Sequence, residues 1–276
     1  QKTILVPSSA GDSTEQEIIL STDEELVENL IEIVPAADQT EAIAKVEDPE
    51  VVKNLRPGKI AIILDDGGYG GEATRQALML NNLITLSILP DTPFAGSTAK
   101  DALNAGFEVM LHMPMQSSAT TTIHTFPGEL KLDMTREEIH QRTLECMEQF
   151  PGAIGVNNHT GTAFTMDADR VEWFLEVVKE HELFFVDSRT TWESCAYDLA
   201  SKMDIPCARR NIFLDNSSDP DEIRKYLAEL VARARMQGTA VGIGHFRVNT
   251  IAVLKEELPK MKEINIELIR ISEVVR

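Results

Sequence analysis

A chain of 276 residues and 30.7 kDa has room for one large α/β domain with an extension, or for two small domains. Its formal charge of -19 argues against nucleic acid and anionic membrane surfaces as partners. No apolar run is long enough to span a bilayer, and the three cysteines (Cys146, Cys195, Cys207) have neither metal-ligand spacing nor an even count for disulfides.

The chain opens on Gln1 rather than methionine, so we expect processing, with any signal peptide or membrane anchor upstream. Residues 1 to about 57 hold thirteen acids against four bases and no sustained strand pattern, with aliphatics enough for one amphipathic helix over roughly Asp23 to Ile33. This reads as an acidic extension or tether. Pro57-Gly58 punctuates the junction to residues 58–276.

From Lys59 onward, apolar runs alternate with helical periodicity. Lys59 to Leu64 is a strand buried on both faces, ending in Asp65-Asp66 and four glycines within five residues. Neighbouring side chains on a regular strand point to opposite faces, so both carboxylates reach one mouth only if the strand has finished there. Two adjacent carboxylates in an apolar setting repel, and a divalent cation resolves that cost. Further strands are predicted at Ile84–Leu89, Phe107–Leu111, Ala153–Val156, Leu183–Val186, Ile212–Leu214, Thr239–Ile243 and Ile266–Ile271.

Helices are predicted between them. One runs from Thr92 to Asn104 with Pro93 in first position; another starts on a Thr135/Glu138 capping box, and another on Asp219-Pro220. Met113 to Met134 is a long loop, rich in Ser and Thr, of the kind that is functional or acts as a lid. Strict βα alternation means a parallel sheet with covered faces: an irregular (β/α) barrel of seven or so strands, although an open doubly wound sheet has the same local signature.

The chemistry-bearing residues fall at strand ends. Asp65 and Asp66 follow the first strand, His112 the third, His159 the fourth, Asp187 and Arg189 the fifth, and His245 the penultimate one. In a parallel barrel those ends open onto one face, where oxygen and nitrogen donors together suit a cation. Asp65 and Gly67 do not make the Asp-x-Asp of a haloacid-dehalogenase phosphatase, and the glycines lack the spacing of a dinucleotide loop.

Ile63-Leu64-Asp65-Asp66-Gly67 resembles the first motif of the polysaccharide deacetylases, the segment Gly106 to His112 resembles the one carrying their first metal histidine, and Val241-Gly242-Ile243-Gly244-His245 their last. His112-Met113-Pro114-Met115, Val156 to Gly161 and Phe185 to Thr191 are similar to the divergent branch of that family. The match spans roughly Lys59 to Val274. The resemblance implies a distorted (β/α) barrel with Asp65 as catalytic base, Asp66 and His112 as metal ligands and His245 as general acid.

One departure stands out: the family's second metal histidine, four residues after the first, is here Gln116, a poor zinc ligand. His159 is expected to supply the missing imidazole. Asp187 is expected to orient His245, and Arg189 to pair with Asp65 or anchor substrate. The implied activity is zinc-assisted hydrolysis of acetyl groups on a glycan, in an exported protein of the periplasm or cell envelope. The alternative is a catalytically inactive, metal-containing glycan-binding or regulatory domain of the same fold.

Overall fold

A computed structural model describes residues 2–7, 15–20, 56–118, 126 and 128–275. The chain divides into two units. In the first, β1 (Lys2–Pro7) and β2 (Glu15–Leu20) pair as an antiparallel hairpin, a strand pattern absent from the sequence reading. The helix expected over Asp23 to Ile33 lies outside the described residues.

The second unit, Pro57–Lys262 with Ile266–Arg276, is α/β. Its strands are β3 (Gly58–Gly67), β4 (Thr85–Ile88), β5 (Glu108–Met115), β6 (Gly155–Thr160), β7 (Phe184–Asp187), β8 (Cys207–Arg209), β9 (Ile212–Phe213), β10 (Thr239–His245) and β11 (Ile266–Leu268). The helices are α1 (Gly71–Ala77), α2 (Ala95–Asn104), α3 (Arg136–Met147), α4 (Ala168–Glu180), α5 (Ala196–Lys202), α6 (Pro220–Gln237) and α7 (Val248–Glu257). All pairings are parallel, in the order β8-β7-β6-β5-β4-β3-β10-β9, with β11 beside β3.

The sheet curls into an irregular barrel whose terminal strands, β8 and β9, have no ladder between them among the described residues. Only Arg210 and Asn211 separate these strands in sequence. Asn211 ties this connection to β10, its N–H donating to Val241 O and its side-chain oxygen accepting from Val241 N.

Helix starts follow their signals. Thr135 and Glu138 form the capping box of α3, and Asp219 caps α6 with Pro220 behind it. Pro93 lies outside α2, which begins two residues later. The strand at β8, three residues beside Pro206, is too short to show periodicity.

Side-chain parity decides what faces inward. Ala61 and Ile63 of β3, Met110 of β5, Phe184 and Val186 of β7, Ala208 of β8, and Val241 and Ile243 of β10 form one buried cluster, closed by Ile269 and Ile271. Registers such as Ile243↔Ile63, Met110↔Gly155 and Val186↔Ala208 put these residues level with one another. The opposite parity, including Ile62, Leu64, Leu111 and Phe185, is buried beneath the helices; Phe185 meets Phe174 of α4 edge-on at 5.9 Å. Stepping the inward parity towards the strand ends replaces the apolar layers with Asp65, His112, Asn157, Ser188 and His245. The barrel interior thus ends in a polar layer.

Candidate active site and metal centre

Asp65 and Asp66 do not lie beyond a finished strand, as expected; β3 continues to Gly67. What brings both carboxylates to one side is a bulge between Leu64 and Gly67, with Asp66 at φ 67. A bulge inserts one residue and re-aims the next. A non-glycine residue held there costs roughly 1–3 kcal/mol, a strain that clusters at functional sites.

Asp66 Oδ1 lies 3.3 Å from His112 Nε2 and 3.0 Å from His159 Nδ1, and the two imidazole nitrogens are 3.1 Å apart. These are the three sequence-predicted metal ligands. Gln116 is not among them: its side-chain oxygen accepts from Leu132 N at 2.7 Å, pinning the loop after β5. Residues 119–125 of that loop, with His124, lie outside the described residues.

The tautomer of His112 follows from its neighbours. Asn157 Nδ2 donates to Asp65 Oδ1 at 2.9 Å and to Ser188 Oγ at 3.2 Å, so Asn157 Oδ1 is the acceptor facing His112 Nδ1 at 2.9 Å. Ser87 donates to the same oxygen at 2.5 Å. His112 therefore keeps its proton on Nδ1 and turns the Nε2 lone pair into the cluster.

The His112 Nε2 lone pair and the Asp66 carboxylate oxygen converge with His159 Nδ1 on one point, an arrangement that a cation bound by all three would hold. Asp66 Oδ1 is buried yet makes no hydrogen bond at proper angles with either ring. The spacing fits a tetrahedral ion: arms of about 2.0–2.1 Å give edges of about 3.3 Å. Two imidazoles and one carboxylate, with His112 held from behind by Asn157, are donors suited to zinc. The residues present fit the group.

Charges follow the packing. Burial raises the proton affinity of Asp65, and the neighbouring imidazoles only partly offset it. Burial acts the same way on Asp66, but there His112 and His159 outweigh it and hold the carboxyl well below the usual range. Burial also keeps His159 below the ordinary imidazole value, favouring a neutral ring.

His245 pairs with Asp65 across the β10–β3 ladder, which places the two on one face at adjacent strand ends. Its Nδ1 meets Asp215 Oδ1 at 2.7 Å. The other Asp215 oxygen accepts from His245 N at 2.8 Å and Thr250 Oγ1 at 2.6 Å. Burial would lower the imidazole pKa, but the Asp215 hydrogen bond and charge outweigh it, and His245 is raised. Asp215 is lowered: His245 overcomes the effect of burial.

Asp215, rather than Asp187, is thus the carboxylate that orients His245. Val186 faces inward, so Asp187 faces outward, where it accepts from Arg189 N, Ser194 Oγ and Tyr197 N at 2.7, 2.8 and 3.3 Å. The Arg189 guanidinium does not meet Asp65 either; it donates to Trp192 O at 3.0 Å. Asn157 and Asp215 are the residues that sequence reasoning passed over, although both stand in strand-end segments it singled out.

The model of the family described as "Divergent polysaccharide deacetylase" matches residues 62–275. The chain is 33% identical over 205 residues to an uncharacterized protein of Haemophilus influenzae, covering 74% of this chain and 72% of that one. It is 30% identical to the uncharacterized protein YibQ of Escherichia coli, over 72% of this chain and 62% of that one. Among crystal structures, an uncharacterized Agrobacterium tumefaciens protein superposes with TM-score 0.76 at 21% identity, over 80% of this chain and 91% of that one. The peptidoglycan N-acetylglucosamine deacetylase Bc1960 shares the fold at TM-score 0.50 and 12% identity, over 80% and 94% of the two chains. The chain belongs to the divergent polysaccharide deacetylase family.

Proposed function

We propose that this chain is a metal-dependent hydrolase that removes acetyl groups from a polysaccharide, with zinc held by Asp66, His112 and His159. The observation that carries this is the meeting of three parts at one rim: a cradle of three potential ligand atoms, a buried carboxylate beside it and a carboxylate-backed imidazole one strand away. A bound cation supplies Lewis acidity, polarising the acetyl carbonyl and acidifying water.

Asp65 takes the proton of the attacking water. Asn157 fixes its Oδ1, and Oδ2 lies 3.6 Å from His112 Nε2, beside the cradle. Its raised proton affinity is the sense a general base needs. His245 delivers a proton to the departing amine or alkoxide. With Nδ1 committed to Asp215, the proton on Nε2 is the one available, and Asp215 sustains the imidazolium that holds it.

Family membership and the named substrate of Bc1960 support an envelope polysaccharide such as peptidoglycan, hence an extracytoplasmic protein with residues 1–57 as its acidic tether. No helix among the described residues is long and apolar enough to cross a membrane. The competing reading, a glycan-binding domain without turnover, arises from Gln116; His159 at the cradle weighs against it. Acetate release from acetylated chito-oligosaccharides and peptidoglycan, with and without zinc, tests the proposal. Zinc-dependent release that D65N abolishes is expected; persistent inactivity with cation bound would favour the binding domain.

A further inference from the structure

The exposed aromatic side chains among the described residues are Tyr69, Phe94 and Trp192. All three stand in strand-to-helix connections, after β3, β4 and β7, on the face where the polar layer opens. The opposite face has none among the described residues. Trp192 is the extreme case, 81% exposed.

An indole left in water is usually on a mobile loop, yet residues 188–195 are tied down from every side. Asp187 gathers Arg189 N, Ser194 Oγ and Tyr197 N. Arg210, stacked 3.6 Å over Phe213, donates to the carbonyls of Ser188 and Arg189 at 2.6 and 2.7 Å. Thr190 Oγ1 reaches Thr160 O at 2.8 Å, and Cys195 N reaches Thr165 O at 2.9 Å. Arg189 holds the Trp192 carbonyl itself. The loop touches the reaction centre through Ser188 Oγ, which shares Asn157 with Asp65. A fixed loop presenting a bare ring is a preorganised surface, and preorganisation lowers the entropy lost on binding.

From this geometry, and resting on the deacetylase reading above, we propose that loop 188–195 is a sugar subsite next to the reaction centre. The Trp192 indole stacks on a pyranose ring of the chain whose neighbouring unit carries the acetyl group. A pyranose has an apolar C–H face, which matches the open face of the indole. Charge narrows the class. Residues 58–276 carry 32 acids against 22 bases, so the neutral acetamido units of an envelope polysaccharide fit this loop better than a strongly anionic stretch does.

The chain has two tryptophans, so W173F leaves Trp192 as the lone reporter. Titrating that protein with N-acetylchitohexaose, zinc omitted, should give a saturable change in emission. In steady state, the ratio of kcat/KM for the hexamer over the dimer should fall about tenfold in W192A and recover largely in W192F, as loss and return of one stacked ring require. Indifferent emission, or an unchanged ratio in W192A, overturns the subsite. So does concentration-dependent self-association that W192A abolishes, which assigns the indole to an interface between copies. If the wild-type protein releases no acetate from any glycan, the deacetylase reading fails while the emission titration still decides the subsite.

Discussion

Asp215→Asn perturbs one atom and rearranges a proton. Asp215 is fully buried and faces three donors: the imidazole Nδ1 on one oxygen, and a backbone N–H plus the Thr250 hydroxyl on the other. An asparagine has one acceptor oxygen. The backbone N–H cannot turn into an acceptor, so the amide oxygen must stay with it, and the amide NH₂ then faces Nδ1. His245 can bond to that group only as a neutral ring protonated on Nε2, and its raised pKa falls. General acid–base contributions are about 10²–10⁴ in rate, so kcat should drop by that range, about 3–5 kcal/mol of barrier. The assay pairs the pH dependence of kcat with NMR titration of the His245 ring protons. Wild-type kcat with an unmoved His245 titration would refute the assignment of Asp215 as the partner.

Other perturbations separate the roles. His159→Ala and Asp66→Asn should each lower zinc affinity at least about 100-fold by calorimetry, at the upper end of what loss of a supporting group produces, whereas Gln116→Ala should keep the cation and lose about 1 kcal/mol of stability with the Leu132 hydrogen bond. Zinc affinity should rise with pH: burial lowers the His112 pKa, but the flanking Asp65 and Asp66 outweigh it and leave it raised, so at pH below that value zinc must displace a proton from Nε2. The His245–Asp215 pair stabilises the fold in a window. The share from His245 is complete below the unfolded value of about 6.5 and is lost as pH rises through its raised folded pKa. The share from Asp215 is present above about 3.8 and is lost as pH falls through its lowered one. Thermal melts across pH should show both edges in the wild type and neither in D215N. Asp187→Ala should cost about 1–3 kcal/mol by freeing two donors of loop 188–195 and the Tyr197 N–H at the start of α5, with the His245 titration unmoved.

Much of the molecule was legible in the chain. Pure apolar runs ending in Asp, Asn and His point to a parallel sheet with its chemistry at one end, and the capping signals at Thr135 and Asp219 start helices where expected. The family motifs pointed to Asp65, Asp66, His112, His159 and His245, which lie at the rim. What failed was parity. In a strand buried on both faces, Val186 and Asp187 are equally at home inside or out, so sequence does not say which faces the barrel. That ambiguity promoted Asp187 and Arg189 and hid Asp215, which follows a strand of two residues. Asn157 was hidden differently: an amide reads as filler until its two ends are seen tying His112 to Asp65. The hairpin near the start was missed because two six-residue segments amid acids show little periodicity.

Anomalous diffraction at the zinc edge, from crystals grown with the cation, tests the central claim most directly. One peak is predicted within bonding distance of Asp66 Oδ1, His112 Nε2 and His159 Nδ1 together, with Gln116 uninvolved. A cradle without density under excess zinc, or a peak ligated without His159, would contradict it.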